Sequence, residues 1–331
     1  MLRPLLVFLA SAAVVTTAGA ALSRAADRIA EITGFGRLLV GAVLLAAATS
    51  LPELAVDWNA ARAGEHDLAV GDLTGSSLMN LAILAVADLM HRSGRGMFSR
   101  AAAGHALTGT TSMLLAALAA VMILARVGGA FGPVGFGTLG VFGAYVLCAR
   151  MVYHDQRAAR AAEVEAETPS ARAPRARLTR PALTFAAGAT AILVAAPYVA
   201  ESAATLAELT GLGGTFVGVT LVAACTSLPE PASTVSAVRA GAFDLAVGNI
   251  FGSNVFNIAM LVAVDAAAAG PLTQQVSTTH AVTLLWTTVI SATAVIGQLY
   301  HVERRRRLVE PDAWMVLTLV AAALYTVYRL R

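Results

Sequence analysis

The chain has 331 residues, of which 57% are hydrophobic and 13% charged, with a mean hydropathy of +0.72. That balance excludes a soluble globular protein, whose surface needs far more polar residues, and points to a polytopic membrane protein. The net charge of +3 is the balance of 23 basic residues, all Arg, against 20 acidic ones; the Arg are expected in loops and at the ends of apolar runs and offer no nucleic-acid-binding face.

In chain order, about ten apolar runs are long enough to span a bilayer: near 2–22, 35–60, 67–90, 104–126, 133–152, 181–200, 212–238, 244–269, 279–300 and 312–330. The first, with Arg3 and Ala18-Gly19-Ala20, has the outline of a cleaved signal peptide. It is expected to be retained, because Arg3-Pro4 returns as Arg180-Pro181 and Ala30-Glu31 as Ala207-Glu208. The second run contains Thr49-Ser50-Leu51-Pro52-Glu53, and the third contains Gly75-Ser76-Ser77-Leu78-Met79-Asn80. After the fifth run, residues 153–180 are rich in Arg, Glu, Ala and Pro without an apolar period, as in a solvated linker that is helical at most in part. The seventh and eighth runs repeat the earlier pair as Thr226-Ser227-Leu228-Pro229-Glu230 and Gly252-Ser253-Asn254-Val255-Phe256-Asn257. Cys148 and Cys225 lie in separate runs and form no disulfide or metal-binding pattern.

All these pairs are offset by 177 residues, and 24 of the 44 positions in 41–84 are identical to those in 218–261. The chain therefore divides into a first half (1–152), a linker (153–180) and a second half (181–331). Each half holds five predicted spans, and an odd number reverses direction. The fold class expected is an all-α polytopic membrane protein whose ten helices form two inverted five-helix repeats. Secondary transporters commonly use that architecture, with ion sites near the midplane between the halves. Eighteen Arg fall on one predicted side, including Arg24, Arg92, the linker Arg and Arg304–Arg307. Five fall on the other: Arg3, Arg62, Arg126, Arg329 and Arg331. Basic loops stay cytoplasmic, so the linker is expected inside and both termini outside the cell membrane.

A carboxylate inside an apolar run is costly unless something requires it, and Glu53 and Glu230 occupy such positions. Pro52 and Pro229 have no amide hydrogen and crowd the carbonyl four residues back. They should break the helix and free carbonyls around Ala46–Thr49 and Ala223–Thr226. Carbonyls beside a Glu make an all-oxygen environment of the kind hard cations prefer. Ser50-x-x-Glu53 also fits a capping box, so Ser50 and Ser227 are expected near the caps of the restarted helices. Ser76 with Asn80, and Ser253 with Asn257, lie four apart on one helix face. Gly71, Gly75, Gly248 and Gly252 lie on or near those faces and suit close helix packing. Asp57 and Asp72 lie one turn beyond Glu53 and one turn before Ser76, and read either as lining an outer access path or as solvated helix ends. Asp67 and Asp244 fit N-terminal caps, and Asp88 and Asp265 fit the far interface. No histidine lies mid-span, which leaves no histidine relay.

The two ordered motif pairs resemble the alpha-repeats of the cation/Ca²⁺ exchanger superfamily, specifically the sodium/calcium exchanger type. The resemblance covers nearly the whole chain. It implies a non-enzymatic antiporter without cofactors that exchanges Na⁺ for Ca²⁺ by alternating access, with only the ions and the lipid bilayer as partners. It implies Glu53 and Glu230 as central Ca²⁺ ligands, joined by backbone oxygens of Thr49 and Thr226. Ser50, Ser76, Ser227 and Ser253, with the carbonyls of Ala46 and Ala223, would line flanking Na⁺ sites, and Asn80 and Asn257 would close the centre. The chain departs from the pattern at Asn257, where prokaryotic members can carry Asp, and at Ser77, opposite Asn254 in the second copy. Two carboxylates balance one Ca²⁺ or two Na⁺, and neutral oxygens could hold a third Na⁺. Proton-coupled exchange on the same scaffold is the nearest alternative. A channel would conduct without coupling. An intramembrane enzyme lacks a nucleophile constellation or zinc motif here.

Overall fold

The computed structural model describes residues 2–33, 50–90, 105–164, 178–239, 243–300 and 311–330. Within them the chain is almost entirely helical: α1 (Leu2–Thr33), α2 (Leu51–Arg62), α3 (His66–Met90), α4 (Ala106–Leu124), α5 (Phe136–Val164) and α6 (Thr179–Thr210) come first. They are followed by α7 (Gly213–Val217), a π-helical stretch at Gly218–Val222, α8 (Ala223–Thr226), α9 (Pro229–Arg239) and α10 (Phe243–Ala267). A short α11 (Leu272–Gln275) precedes α12 (Thr279–Tyr300) and α13 (Pro311–Leu330). A two-residue hairpin, β1 (Ala130–Phe131) and β2 (Val134–Gly135), joins α4 to α5, pairing Ala130 with Gly135 and Phe131 with Val134.

Eight of the described helices, α1, α3, α4, α5, α6, α10, α12 and α13, are long and apolar enough to cross a membrane. The other two predicted runs, 35–60 and 212–238, are those carrying the Pro-Glu motif. Only residues from Ser50 onward are described in the first, and the second is divided among α7, the π stretch, α8 and α9. Some helices exceed the apolar period. The helix α5 continues to Val164, so the start of the 153–180 linker is helical. The helix α6 runs to Thr210 through Pro197 and ends where Gly211 takes a left-handed conformation, φ 64°.

Hydrocarbon supplies no partners for backbone or hydroxyl groups, so the spans satisfy them internally. Thr283 and Thr287 in α12 donate to the carbonyls four residues earlier, at 3.1 and 3.0 Å. The helices α3 and α10 are the most buried spans and pack on each other. Around them lie α2, the π stretch, α12 and α13, while α1 runs along α6 at one flank. A Cβ on Gly71 would come within 2.9 Å of the Thr215 carbonyl, and one on Gly75 within 2.4 Å of the Val219 carbonyl. Those glycines let α3 touch the π stretch backbone to backbone, as their sequence positions suggested. Gly248 instead accommodates the His105 ring, and no described atom lies within 4 Å of a Cβ on Gly252.

Three acidic residues differ from their expected surface roles. Asp67 Oδ1 accepts from Ser277 N at 2.7 Å and meets His280 Nε2 at 2.9 Å, tying the start of α3 to the start of α12 instead of capping its own helix. Asp265 is fully buried and accepts from Gly135 N and Leu272 N, both at 2.9 Å, and from the Thr138 hydroxyl. It thereby pins the β hairpin and α11 to the end of α10. Asp88 is also fully buried. The Asp244 side chain lies outside the described residues.

Candidate cation site

The second motif shows how the helix is opened. The turn at Gly218–Val222 is widened to π geometry, α8 adds one α turn, and Ser227 leaves the helix at φ −84°, ψ 12°. Pro229 then starts α9 with Glu230 in its first turn. Proline withholds a hydrogen from the carbonyl four residues back, which is Cys225. That oxygen accepts from Thr16 Oγ1 of α1 at 3.2 Å. The Ala223 carbonyl, expected to be freed, accepts from Ser227 N at 3.1 Å. The expectation missed this because one residual α turn fits between the π stretch and the proline. In the first copy Ser50 holds the N-cap position of α2, but its hydroxyl makes no cap bond. Ala46 and Thr49 lie outside the described residues.

The two copies meet in the interior. Glu53 and Glu230 are each 1% exposed. Ser227 Oγ donates to Glu53 Oε1 at 3.1 Å, while Glu53 Oε2 and the Ser50 hydroxyl are buried without a hydrogen-bond partner. Asp72 Oδ1 accepts from Thr226 Oγ1 at 2.9 Å and from Ser76 Oγ at 3.3 Å. Asn80 Nδ2 donates to Asn254 Oδ1 at 2.9 Å, and Asn254 Nδ2 donates to the Ser77 carbonyl at 3.2 Å. Ser253 and Asn257 are buried, and both amide atoms of Asn257 lack partners. Buried polar groups usually find partners, so the free oxygens of Glu53, Ser50 and Asn257 mark a place where a ligand could supply them.

Every described residue expected to line the cation site is thus buried, while Leu228 between Ser227 and Pro229 is exposed. Sequence reasoning underestimated two residues. Asp72, left open between an access path and a solvated helix end, accepts bonds from residues of both motifs. Asn254, noted only as a departure from Ser77, bonds to Asn80. The signal for Asp72 was its spacing of one turn from Ser76, but its depth depends on how α3 packs. Among the described residues, no three His, Cys, Asp or Glu side chains form a compact metal cluster. A cation held here would take many of its ligands from hydroxyl, amide and carbonyl oxygens, as hard cations accept.

Residues 3–151 and 180–330 match the family model described as sodium/calcium exchanger protein. The chain belongs to the sodium/calcium exchanger family. This makes it a transporter-family protein and not an enzyme, within the cation/Ca²⁺ exchanger superfamily that the motifs suggested. It is 45% identical over 78 residues to the sodium/calcium exchanger MaX1 of Methanosarcina acetivorans, a match covering 24% of this chain and 22% of the relative. Its fold is similar to that of the sodium-calcium exchanger NCX_Mj, with a TM-score of 0.60 and 18% identity over 99% of this chain and 98% of the other. It is equally similar to the H⁺/Ca²⁺ exchanger CAX, with a TM-score of 0.63 and 16% identity over 98% and 88%.

Proposed function

We propose that the protein is a secondary antiporter that moves Ca²⁺ against Na⁺ across the cell membrane by alternating access. The observation that carries this reading is the hydrogen bond from Ser227 to Glu53, which brings two copies of one motif, each with a buried glutamate, together in the interior of a membrane protein. Their paired charge matches one Ca²⁺ or two Na⁺, so either load neutralises the centre. An empty centre keeps uncompensated charge, which makes the unloaded transition costly and couples the two fluxes. In this reading Glu53 and Glu230 are the Ca²⁺ ligands, with Thr49 and Thr226. Ser50, Ser76, Ser227, Ser253, Ala46 and Ala223 serve Na⁺, and Asn80 and Asn257 line the centre. The halves 1–152 and 181–331 act as inverted repeats of five spans each. The break at Ser227 supports counting 212–238 as one discontinuous span of the kind that builds transporter ion sites.

The family match and the MaX1 similarity favour Na⁺ as the coupling ion. Proton coupling is the second reading, favoured by the likeness to CAX. Ca²⁺ uptake into proteoliposomes under an imposed Na⁺ gradient or an imposed pH gradient separates the two. Uptake driven by Na⁺ alone is expected, and uptake driven only by the pH gradient overturns the Na⁺ assignment.

A further inference from the structure

Asp72 of α3 lies outside both repeated motifs and outside the ligand set assigned above, yet it is fully buried. Its Oδ1 accepts from Thr226 Oγ1 of the second copy at 2.9 Å and from Ser76 Oγ of the first at 3.3 Å. Among the described residues no basic side chain forms an ion pair with it. A buried carboxylate so placed is costly unless a cation lies near it. The two bonds also orient the hydroxyls, each of which has one hydrogen and two lone pairs. Thr226 Oγ1 has a second acceptor in the Val222 carbonyl at 3.1 Å. Hydrogen bonds to a carboxylate are about twice as strong as those between neutral groups, so the hydrogen goes to Asp72. With both hydrogens turned to Asp72, lone pairs of Ser76 and Thr226 are left for a cation. The repeat does not supply this arrangement twice. The positions equivalent to Asp72, Ser76 and Thr226 are Asn249, Ser253 and Thr49. The hydroxyls recur and the acid does not, so the repeated pattern alone does not account for Asp72.

We propose that Asp72 is a positioning residue for Na⁺, which holds the Ser76 and Thr226 hydroxyls ready for a monovalent cation and so raises the affinity of the centre for Na⁺. Charge sets the class of ion. Glu53 and Glu230 already balance one Ca²⁺ or two Na⁺, and the single further carboxylate matches one monovalent cation. Partners that fix the orientation of ion ligands commonly govern affinity although they lie behind the ligands themselves. This inference rests on the antiport reading.

The test is Na⁺-driven Ca²⁺ uptake into proteoliposomes containing the full chain, measured as half-saturating Na⁺ and half-saturating Ca²⁺ for wild type and Asp72→Asn. The substitution copies the residue already present at position 249, keeps an acceptor oxygen and removes the charge. It should raise half-saturating Na⁺ by about 10–100-fold, the range for groups that orient ion ligands, and half-saturating Ca²⁺ by a clearly smaller factor. Asp72→Glu, which keeps the charge, should recover part of the Na⁺ affinity. Unchanged half-saturating Na⁺, or an equal loss for both ions, overturns the proposal and leaves the antiport reading standing. A wild type without Na⁺-driven uptake overturns both. If Asp72→Asn does not fold, the structure of wild type in Na⁺ decides. A cation on the Ser76 and Thr226 hydroxyl oxygens, with both hydroxyls still turned to Asp72, supports the proposal, and no cation there overturns it.

Discussion

Ser227 donates to Glu53 across 3.1 Å, so the serine of the second motif completes the surroundings of the carboxylate of the first. The two residues are 174 positions apart, and neither motif builds the site alone. Thr226, beside Ser227, reaches Asp72 of α3 in the same way. The centre is an interface between copies, and changes in either copy should be felt in both.

The carboxylates give the first expectation. Glu53→Gln and Glu230→Gln keep size and remove charge. Each should lower initial Ca²⁺ exchange by at least ~10-fold, corresponding to about 1.4 kcal/mol, while leaving the folded protein in the membrane. Proteoliposome uptake and size-exclusion chromatography check the two halves of the statement. Wild-type rates in a folded variant remove that carboxylate from the ligand set.

Asn257 separates function from stability. Its amide has no partner in the structure although it is buried. Replacing an unsatisfied polar group by an apolar one of similar size is close to neutral for stability. Asn257→Leu should therefore keep the thermal midpoint of the wild type and reduce exchange by about 10-fold or more, the loss expected for a ligand worth about 1.4 kcal/mol. A lowered midpoint with unchanged exchange would assign Asn257 to packing.

Gly75 tests the contact that holds α3 against the π stretch. A methyl group there would sit 2.4 Å from the Val219 carbonyl, which is backbone and cannot rotate away. Gly75→Ala should destabilise the protein by about 1–3 kcal/mol, the range for overpacking. Gly140→Ala, in α5 with nothing within 4 Å, should be neutral or slightly stabilising. Thermal unfolding in detergent compares them, and equal midpoints would refute the close approach.

Asp265 should matter for structure and not for ion binding. It receives bonds from two backbone amides and the Thr138 hydroxyl in a buried position. Asp265→Ala leaves those donors unpaired and should cost about 3 kcal/mol or more. Asp265→Asn retains a carbonyl acceptor and should recover part of the loss. Equal unfolding midpoints for wild type and Asp265→Ala would contradict the role.

Orientation is checked by labelling single cysteines placed in a Cys148- and Cys225-free background. The excess of Arg on one side assigns residues 153–180 to the cytoplasm and both termini to the outside. A cysteine in the linker that reacts with an impermeant reagent in intact cells reverses the assignment.

The membrane class, the position of most spans and the two motifs follow from the sequence alone. Apolar length and the 177-residue offset are properties of the chain order. A buried carboxylate beside proline in an apolar run is conspicuous in any packing, which is why Glu53 and Glu230 were legible. What the sequence could not provide was depth and pairing, because both depend on how helices rotate and cross. Asp57, Asp72 and Asp265 are spaced like helix-end residues, yet all are fully buried. Thr16 serves the Cys225 carbonyl only because α1 crosses the broken helix at that level. Asn254 reaches Asn80 because α3 and α10 pack together. Local chemistry fixed which residues are costly to bury. The tertiary packing decided which of them meet, since a partner 174 residues away leaves no mark in the spacing of either segment.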